Sequence, residues 1–171
     1  LEIFIRGVCS SNNTELGDSG AAPHINGAYI ARPRGLGGMF YDVERVEINK
    51  GPQGTLRGRN ALAGTLNIIT KRPDLEAFGG YVQAEAGNRD HRGGEFALNL
   101  PIGGGAAFRV AGYKVEKDSP FKNAGRAQDL EPAGVQDDRG ARLSFLYQPD
   151  DKLSIFAMAD IGKEGGTGYP L

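Results

Sequence analysis

From Phe78 onward the chain alternates between apolar and polar residues with a period of two. In EFALNLPI, Phe96, Leu98, Leu100 and Ile102 fall on one face, and Glu95, Ala97 and Asn99 on the other. In ARLSFLYQ, Ala141, Leu143, Phe145 and Tyr147 oppose Arg142, Ser144, Leu146 and Gln148. LSIFAMAD repeats the pattern, with Leu153, Ile155, Ala157 and Ala159 opposing Ser154, Phe156, Met158 and Asp160. GYVQAEAG and AAFRVAGYKVEK follow it less cleanly. A strand with this period presents one face to an apolar medium and the other to a polar one. About five strands are expected, each of roughly 8–12 residues, close to the ~9–11 that cross a bilayer when tilted.

The connections add direction. A medium loop, NRDHRGG, joins the first two strands, and a tight GGG joins the next pair. The long, charged DSPFKNAGRAQDLEPAGVQDD follows, then a tight PDD. Short turns at one end and longer loops at the other are the asymmetry of an outer-membrane barrel. A soluble sandwich has the same alternation, and the loop asymmetry favours the barrel over it. Bacterial barrels begin at about eight strands, so the remaining strands are expected beyond Leu171.

The first 73 residues read differently. Short β-like pieces, IFIRGV, NGAYIA, VERVEINK and GTLNIIT, are divided by polar, glycine-rich turns, and MFYDVER has the makings of one helical turn. The expectation is mainly β overall: an α+β unit over 1–73, then an incomplete transmembrane β-barrel over 74–171. Lys71-Arg72-Pro73 marks the boundary, since proline cannot continue a sheet interior.

Charge and composition narrow the chemistry. The net charge of −1 gives no global field toward nucleic acid, so no nucleic-acid partner is expected. The basic excess is local, six Lys/Arg against two Glu from Val43 to Pro73, a stretch that includes the glycine-rich loop between VERVEINK and GTLNIIT. That loop invites a phosphate-cradle reading, but G-x-x-x-x-G-K-[ST] fails in every register, and a strand rather than a helix follows. GDSG, Gly17 to Gly20, resembles a protease nucleophile loop, yet no His precedes Ser19, so it reads as a polar turn. His24, His91 and the single Cys9 have no metal-ligand spacing, and one cysteine excludes an internal disulfide. No catalytic residue, cofactor or metal is therefore assigned. No apolar run reaches the ~20 residues of a spanning helix. LEIFIRG starts in mid-strand without an initiator Met, as expected of an internal fragment.

The run YDVERVEINKGPQGTLRGRNALAGTLNIITKRP closely resembles the end of the plug domain of TonB-dependent outer-membrane receptors of Gram-negative bacteria. The matches fall at Glu44, Arg45, Glu47, Gly51, Pro52, Gly54, Leu56, Gly58, Ala61, Gly64, Asn67, Thr70 and Lys71. IFIRGV and HINGAYI resemble the family's I-R-G and D-G-x-Y elements, in the same order. Arg57, Ala63 and Asn26 depart from the usual Tyr, Gly and Asp. The resemblance implies the later part of a plug and the first of about 22 barrel strands. It implies an energised importer that is not an enzyme, with a ferric siderophore as the leading ligand. A glycan or cobalamin importer is the rival within the family, and a passive porin, an adhesin or a soluble β-rich binding domain the rivals outside it. The implied partners are outer-membrane lipid and TonB with ExbB and ExbD, acting through a TonB box that lies before Leu1. Arg6 and Arg45 occupy the positions of two plug arginines that pair with barrel glutamates. Ser10, Ser11, Asn12, Asn13, Tyr29, Arg32 and Arg34 occupy the ligand-facing apex positions.

Overall fold

The computed structural model describes residues 5–6, 20–31, 38, 40–54, 61–122 and 132–167. They are mostly strand with almost no helix, and the chain divides into two compact units, Leu1–Lys71 and Arg72–Leu171.

Unit 1 holds a mixed sheet of four strands: β1 (Ala21–Ile25), β2 (Ala28–Tyr29), β3 (Val43–Lys50) and β4 (Gly64–Thr70), in the order β2-β1-β4-β3. Asn26 and Gly27 have φ of 49° and 83°. Two such residues make the turn whose twist suits a tight hairpin, and Asn-Gly is its preferred pair. β1 runs parallel to β4, from Ala21 opposite Gly64 to Ile25 opposite Ile68, and β3 runs antiparallel to β4. β1 and β4 are buried almost throughout, whereas β3 is an exposed edge. Of the stretch expected to form a helical turn before β3, the described residues 40–42 are not helical. Tyr41 and Asp42 form a bend, because the Asp42 carbonyl accepts a hydrogen bond from Lys71 N (3.0 Å), at the end of the β3–β4 ladder. Met39, also in that stretch, lies outside the described residues.

Unit 2 is an antiparallel meander of five strands: β5 (Gly79–Gly87), β6 (His91–Gly103), β7 (Ala106–Lys117), β8 (Gln136–Asp150) and β9 (Leu153–Gly166). The registers gather the alternating residues into two faces. One carries Val82, Phe96, Leu98, Val110, Leu143, Ala159 and Ile161; the other carries Glu95, Ala97, Asn99, Arg109, Arg142, Ser144 and Asp160. A water-soluble sheet buries its apolar face. Here the polar face is the buried one. Arg109, Arg142 and Ser144 are 5%, 2% and 1% exposed, against 49% for Leu143 and 75% for Ile161. Arg142 meets its charge requirement across the strand pair, donating from Nε to Asp160 Oδ2 at 2.7 Å. On β9 the uncharged outer row runs from Leu153 to Ile161, roughly 26 Å along the strand before tilt. That is the scale of the ~25 Å apolar band of an outer-membrane barrel.

The two hairpins at one end are tight, with turns at Gly104–Gly105 and Asp151–Lys152. At the other end the long connection between β7 and β8 stands as expected, but the β5–β6 connection does not. It is a three-residue turn at 88–90, with positive φ at Arg89 and Asp90, and His91 to Gly94 are already strand. The loop asymmetry therefore rests on the β7–β8 connection.

The inverted faces predict opposite responses along β8. Leu143→Arg places a charge in the middle of the outer apolar row and should cost about 2–4 kcal/mol when the barrel folds into lipid. Gln148→Arg, at a half-buried position on the polar face of the same strand, should cost much less. Urea-titrated folding of the full-length receptor into phosphatidylcholine vesicles measures both.

Candidate functional site

The glycine-rich loop continues the β3–β4 hairpin. Gly51 N donates to Ala63 O and Gln53 N to Ala61 O, both at 2.9 Å, so the ladder runs on past Lys50. Pro52 falls between these two donors, where a missing N–H leaves the ladder intact. Two glycines are demanded by the geometry. Gly51 has φ of 97°, which a side chain rarely adopts. Gly64 has φ of 149°, and a Cβ there would lie 2.2 Å from the Asn49 carbonyl oxygen of β3. Gly54 meets neither condition: its Cβ would touch nothing within 4 Å. Gly58 lies outside the described residues.

The polar residues of β4 stitch the sheet to the Asn26-Gly27 turn. Asn67 Oδ1 accepts from Gly27 N (3.0 Å), and Asn67 Nδ2 donates to Glu47 Oε2 (3.1 Å). Asn26 Nδ2 donates to Thr70 Oγ1 (2.9 Å), and Asn26 Oδ1 accepts from Thr70 N (3.0 Å). Asn49 Nδ2 donates to Thr65 Oγ1 at 3.2 Å. Thr65, Asn67 and Thr70 are all buried, and a buried polar group without a partner costs about 1–3 kcal/mol. The motif thus has a structural job: Asn67 and Thr70 hold the hairpin turn against β4.

Arg6 is an exposed turn residue with φ of 53°. Arg45 is half exposed on β3 and donates from Nε to Glu47 Oε1 at 2.9 Å and from a terminal nitrogen to Glu44 Oε1. The hydrogen bond to Glu47 raises its pKa further above the ordinary guanidinium value, so it stays cationic at every working pH. Tyr29 packs edge-on against His24, with ring centroids 5.7 Å apart. Ser10, Ser11, Asn12, Asn13, Arg32 and Arg34 lie outside the described residues.

One cavity was not anticipated from sequence. At the long-loop end of unit 2, Gly87, Asn88, Arg89, His91 and Lys117 line a space of about 270 Å³. His91 Nε2 lies 3.5 Å from Glu85 Oε2. Arg89 and Lys117 form no ion pair among the described residues. The cavity gathers residues from a turn, the start of β6 and the end of β7. Arg89, His91 and Lys117 are ordinary basic residues in sequence, and only the register brings them together.

No family model matches the chain. Individual proteins do. The pesticin receptor of Yersinia enterocolitica is 40% identical over 117 residues, which are 65% of this chain and 16% of that protein. The ferrichrome outer membrane transporter/phage receptor of Escherichia coli is 30% identical over 132 residues, 75% of this chain and 16% of that protein. The crystal structure of the ferric yersiniabactin uptake receptor FyuA from Yersinia pestis superposes with a TM-score of 0.68 at 26% identity, covering 78% of this chain and 21% of that one. The chain belongs to the TonB-dependent outer-membrane receptors. It spans 16% of the length of the two curated relatives, and proteins of this family reside in the Gram-negative outer membrane.

Within this receptor two of the three departures from the family pattern have physical explanations; the third, Arg57, lies outside the described residues. Ala63 has an ordinary φ and packs its methyl group in a small cluster with Ile5 and Ala21. Asn26 serves as both donor and acceptor toward Thr70, and asparagine is among the side chains that best tolerate a positive φ. Gly64→Ala should therefore destabilise unit 1 by about 2–3 kcal/mol, read as faster hydrogen exchange in β3 and β4 of the full-length receptor. Gly54→Ala should leave exchange unchanged.

Proposed function

We propose that the chain is the plug-to-barrel junction of a receptor that imports a scarce, anionic ferric chelate of the siderophore type, energised by TonB with ExbB and ExbD. The observation that carries this reading is the inverted sheet of unit 2, apolar outside and polar inside, directly following the motif-bearing unit 1. Such a sheet belongs to a wall between lipid and a polar interior, and unit 1, Leu1–Lys71, supplies the plug expected over residues 1–73. Transport here moves a ligand without making or breaking its covalent bonds. The named relatives are receptors and transporters, consistent with a protein that is not an enzyme.

The proposed roles follow from chemistry. Arg6 and Arg45, both exposed on unit 1, would hold the plug to glutamates on strands outside this chain through charge-assisted hydrogen bonds. Arg45 would do so alongside its pairing with Glu44 and Glu47. Ser10, Ser11, Asn12, Asn13, Tyr29, Arg32 and Arg34 form the ligand-facing apex. Arg89 and Lys117 offer the chelate a first cationic contact through charge-assisted hydrogen bonds. Uptake of radioiron-loaded ferrichrome, ferric citrate and a ferric catecholate by a deletion strain tests the reading. Loss of uptake of one chelate, restored by the gene only when tonB is intact, is expected. Unchanged uptake of all three, together with lost growth on a glycan or cobalamin, would move the receptor to the rival ligand class.

In the complemented strain, Arg89→Glu with Lys117→Glu should weaken binding of the transported chelate about tenfold, roughly 1.4 kcal/mol. The loss should shrink as salt rises, and whole-cell binding at two ionic strengths measures it.

A further inference from the structure

The segment that opens unit 2, Arg72–Phe78, is fastened to the sheet of that unit by a buried side chain. Asn99, on the polar face of β6, is 3% exposed. Its Oδ1 accepts from Asp74 N at 2.9 Å, and its Nδ2 donates to Asp74 O at 2.9 Å and Ala77 O at 2.6 Å. All the hydrogen-bonding groups of one amide thus grip the backbone of the segment. The segment is shaped to receive them: Asp74 Oδ1 accepts from Glu76 N (2.8 Å) and Ala77 N (3.0 Å), closing the turn that presents both carbonyls. Pro73 is buried, and the Arg72 guanidinium lies 4.9 Å from the centroid of the Phe156 ring on β9, within the range of a cation–π contact. On the other side, Lys71 N is bonded to Asp42 O of unit 1. Successive residues therefore belong to different units, with no slack between them.

We infer that Asn99 is a positioning residue that clamps Arg72–Phe78 to the strand wall, so that any displacement of unit 1 stops at the Lys71–Arg72 bond. The inference rests on the proposed function only in supposing that unit 1 is pulled during transport. The clamp keeps the mechanical load out of the strands. A pull on unit 1 reaches a segment held by three hydrogen bonds and an aromatic contact before it reaches the β5–β6 ladder. The segment also stays on the wall as a fixed tether from which unit 1 can return.

Single-molecule pulling of the full-length receptor in lipid, from its N-terminal end, tests this without any ligand. In the wild type, the first extension should end at residue 72. In Asn99→Leu it should lengthen by the seven residues from Arg72 to Phe78, about 24 Å at ~3.5 Å per residue. Arg72→Ala should lower the force at which the segment releases and leave the wild-type length of the first extension unchanged. Equal first extensions in wild type and Asn99→Leu would overturn the inference, as would a wild-type extension that already includes the segment. A residue that merely stabilises the sheet would lower the final rupture force and leave the first extension unchanged. Hydrogen exchange of the wild type gives a second measurement that needs no variant. Under conditions that open unit 1, the amide of Asp74 should stay protected, and its exchange together with Lys71 would refute the clamp. A receptor that carried none of the tested chelates would defeat the proposed function and leave these readouts standing.

Discussion

Hydrocarbon offers no hydrogen-bond partner, so every backbone N–H and C=O that enters it must be bonded within the protein. The unbroken antiparallel pairing from β5 to β9 answers that requirement. The same solvent sorts the side chains. Within the apolar band the outer rows carry Leu, Ile, Val, Phe, Tyr, Ala and Gly, while Asn99, Arg109, Arg142 and Ser144 turn to the other face. Arg92, Lys114, Arg139 and Lys163 continue the outer rows only beyond the band. Close strand pairing is helped where a ring covers a glycine: Phe96 lies opposite Gly112, and Tyr113 opposite Gly140, each filling the space that a Cβ would need. Aromatic cover of strand glycines is a recognised way of fixing register. β5 and β9 each have one strand partner among the described residues. In lipid such edges are tolerable only when further strands continue the ladder, and barrel closure removes them.

Unit 1 solves a different problem with different forces. Among its described residues the buried ones are mainly small or polar: Ala21, Ala22, Ala61 and Ala63 beside Thr65, Asn67 and Thr70. Burying an alanine methyl contributes about 0.8 kcal/mol, against roughly 1.5–3 kcal/mol for a full leucine or isoleucine. A few large side chains among the described residues, including Ile5, Ile25, Leu66 and Ile68, add the larger amount. The remainder comes from directional contacts such as Asn26–Thr70 and Asn67–Glu47, each worth about 1 kcal/mol net. A unit held in this way has a defined shape and modest cohesion. That combination would suit the plug role proposed for unit 1.

The two units were unequally legible in the sequence. The faces of β6, β8 and β9 can be read directly from alternation, because lipid on one side and polar surroundings on the other impose it. His91–Gly94, Gln136–Gly140 and Gly162–Gly166 cannot be read in this way. They extend the strands beyond the apolar row with charged residues and glycines, so alternation vanishes while the ladder persists. For the same reason the β5–β6 turn is shorter than its glycines imply. In unit 1 the motif marks Asn67 and Thr70, but their job depends on a turn more than forty positions earlier, brought close by the parallel β1–β4 pairing. Asn99 is the hardest case. It sits in the polar row like any other inward residue, and only the path of a segment 25 residues upstream distinguishes it.

The contrast between the units locates the point where motion can begin. A ladder of five long strands opens only by breaking many hydrogen bonds at once, and in lipid it has nowhere to place the freed groups. The stitches of unit 1 are individually weak and have water as an alternative partner, so they can be released in succession. Between the two, the chain passes in one step from Lys71, bonded to Asp42, to Arg72, set against Phe156. A boundary that abrupt needs a fastening on the stronger side, since otherwise the first strand would take the strain. Asn99 supplies it from the polar face, where an amide can be buried because backbone groups of the segment satisfy it completely.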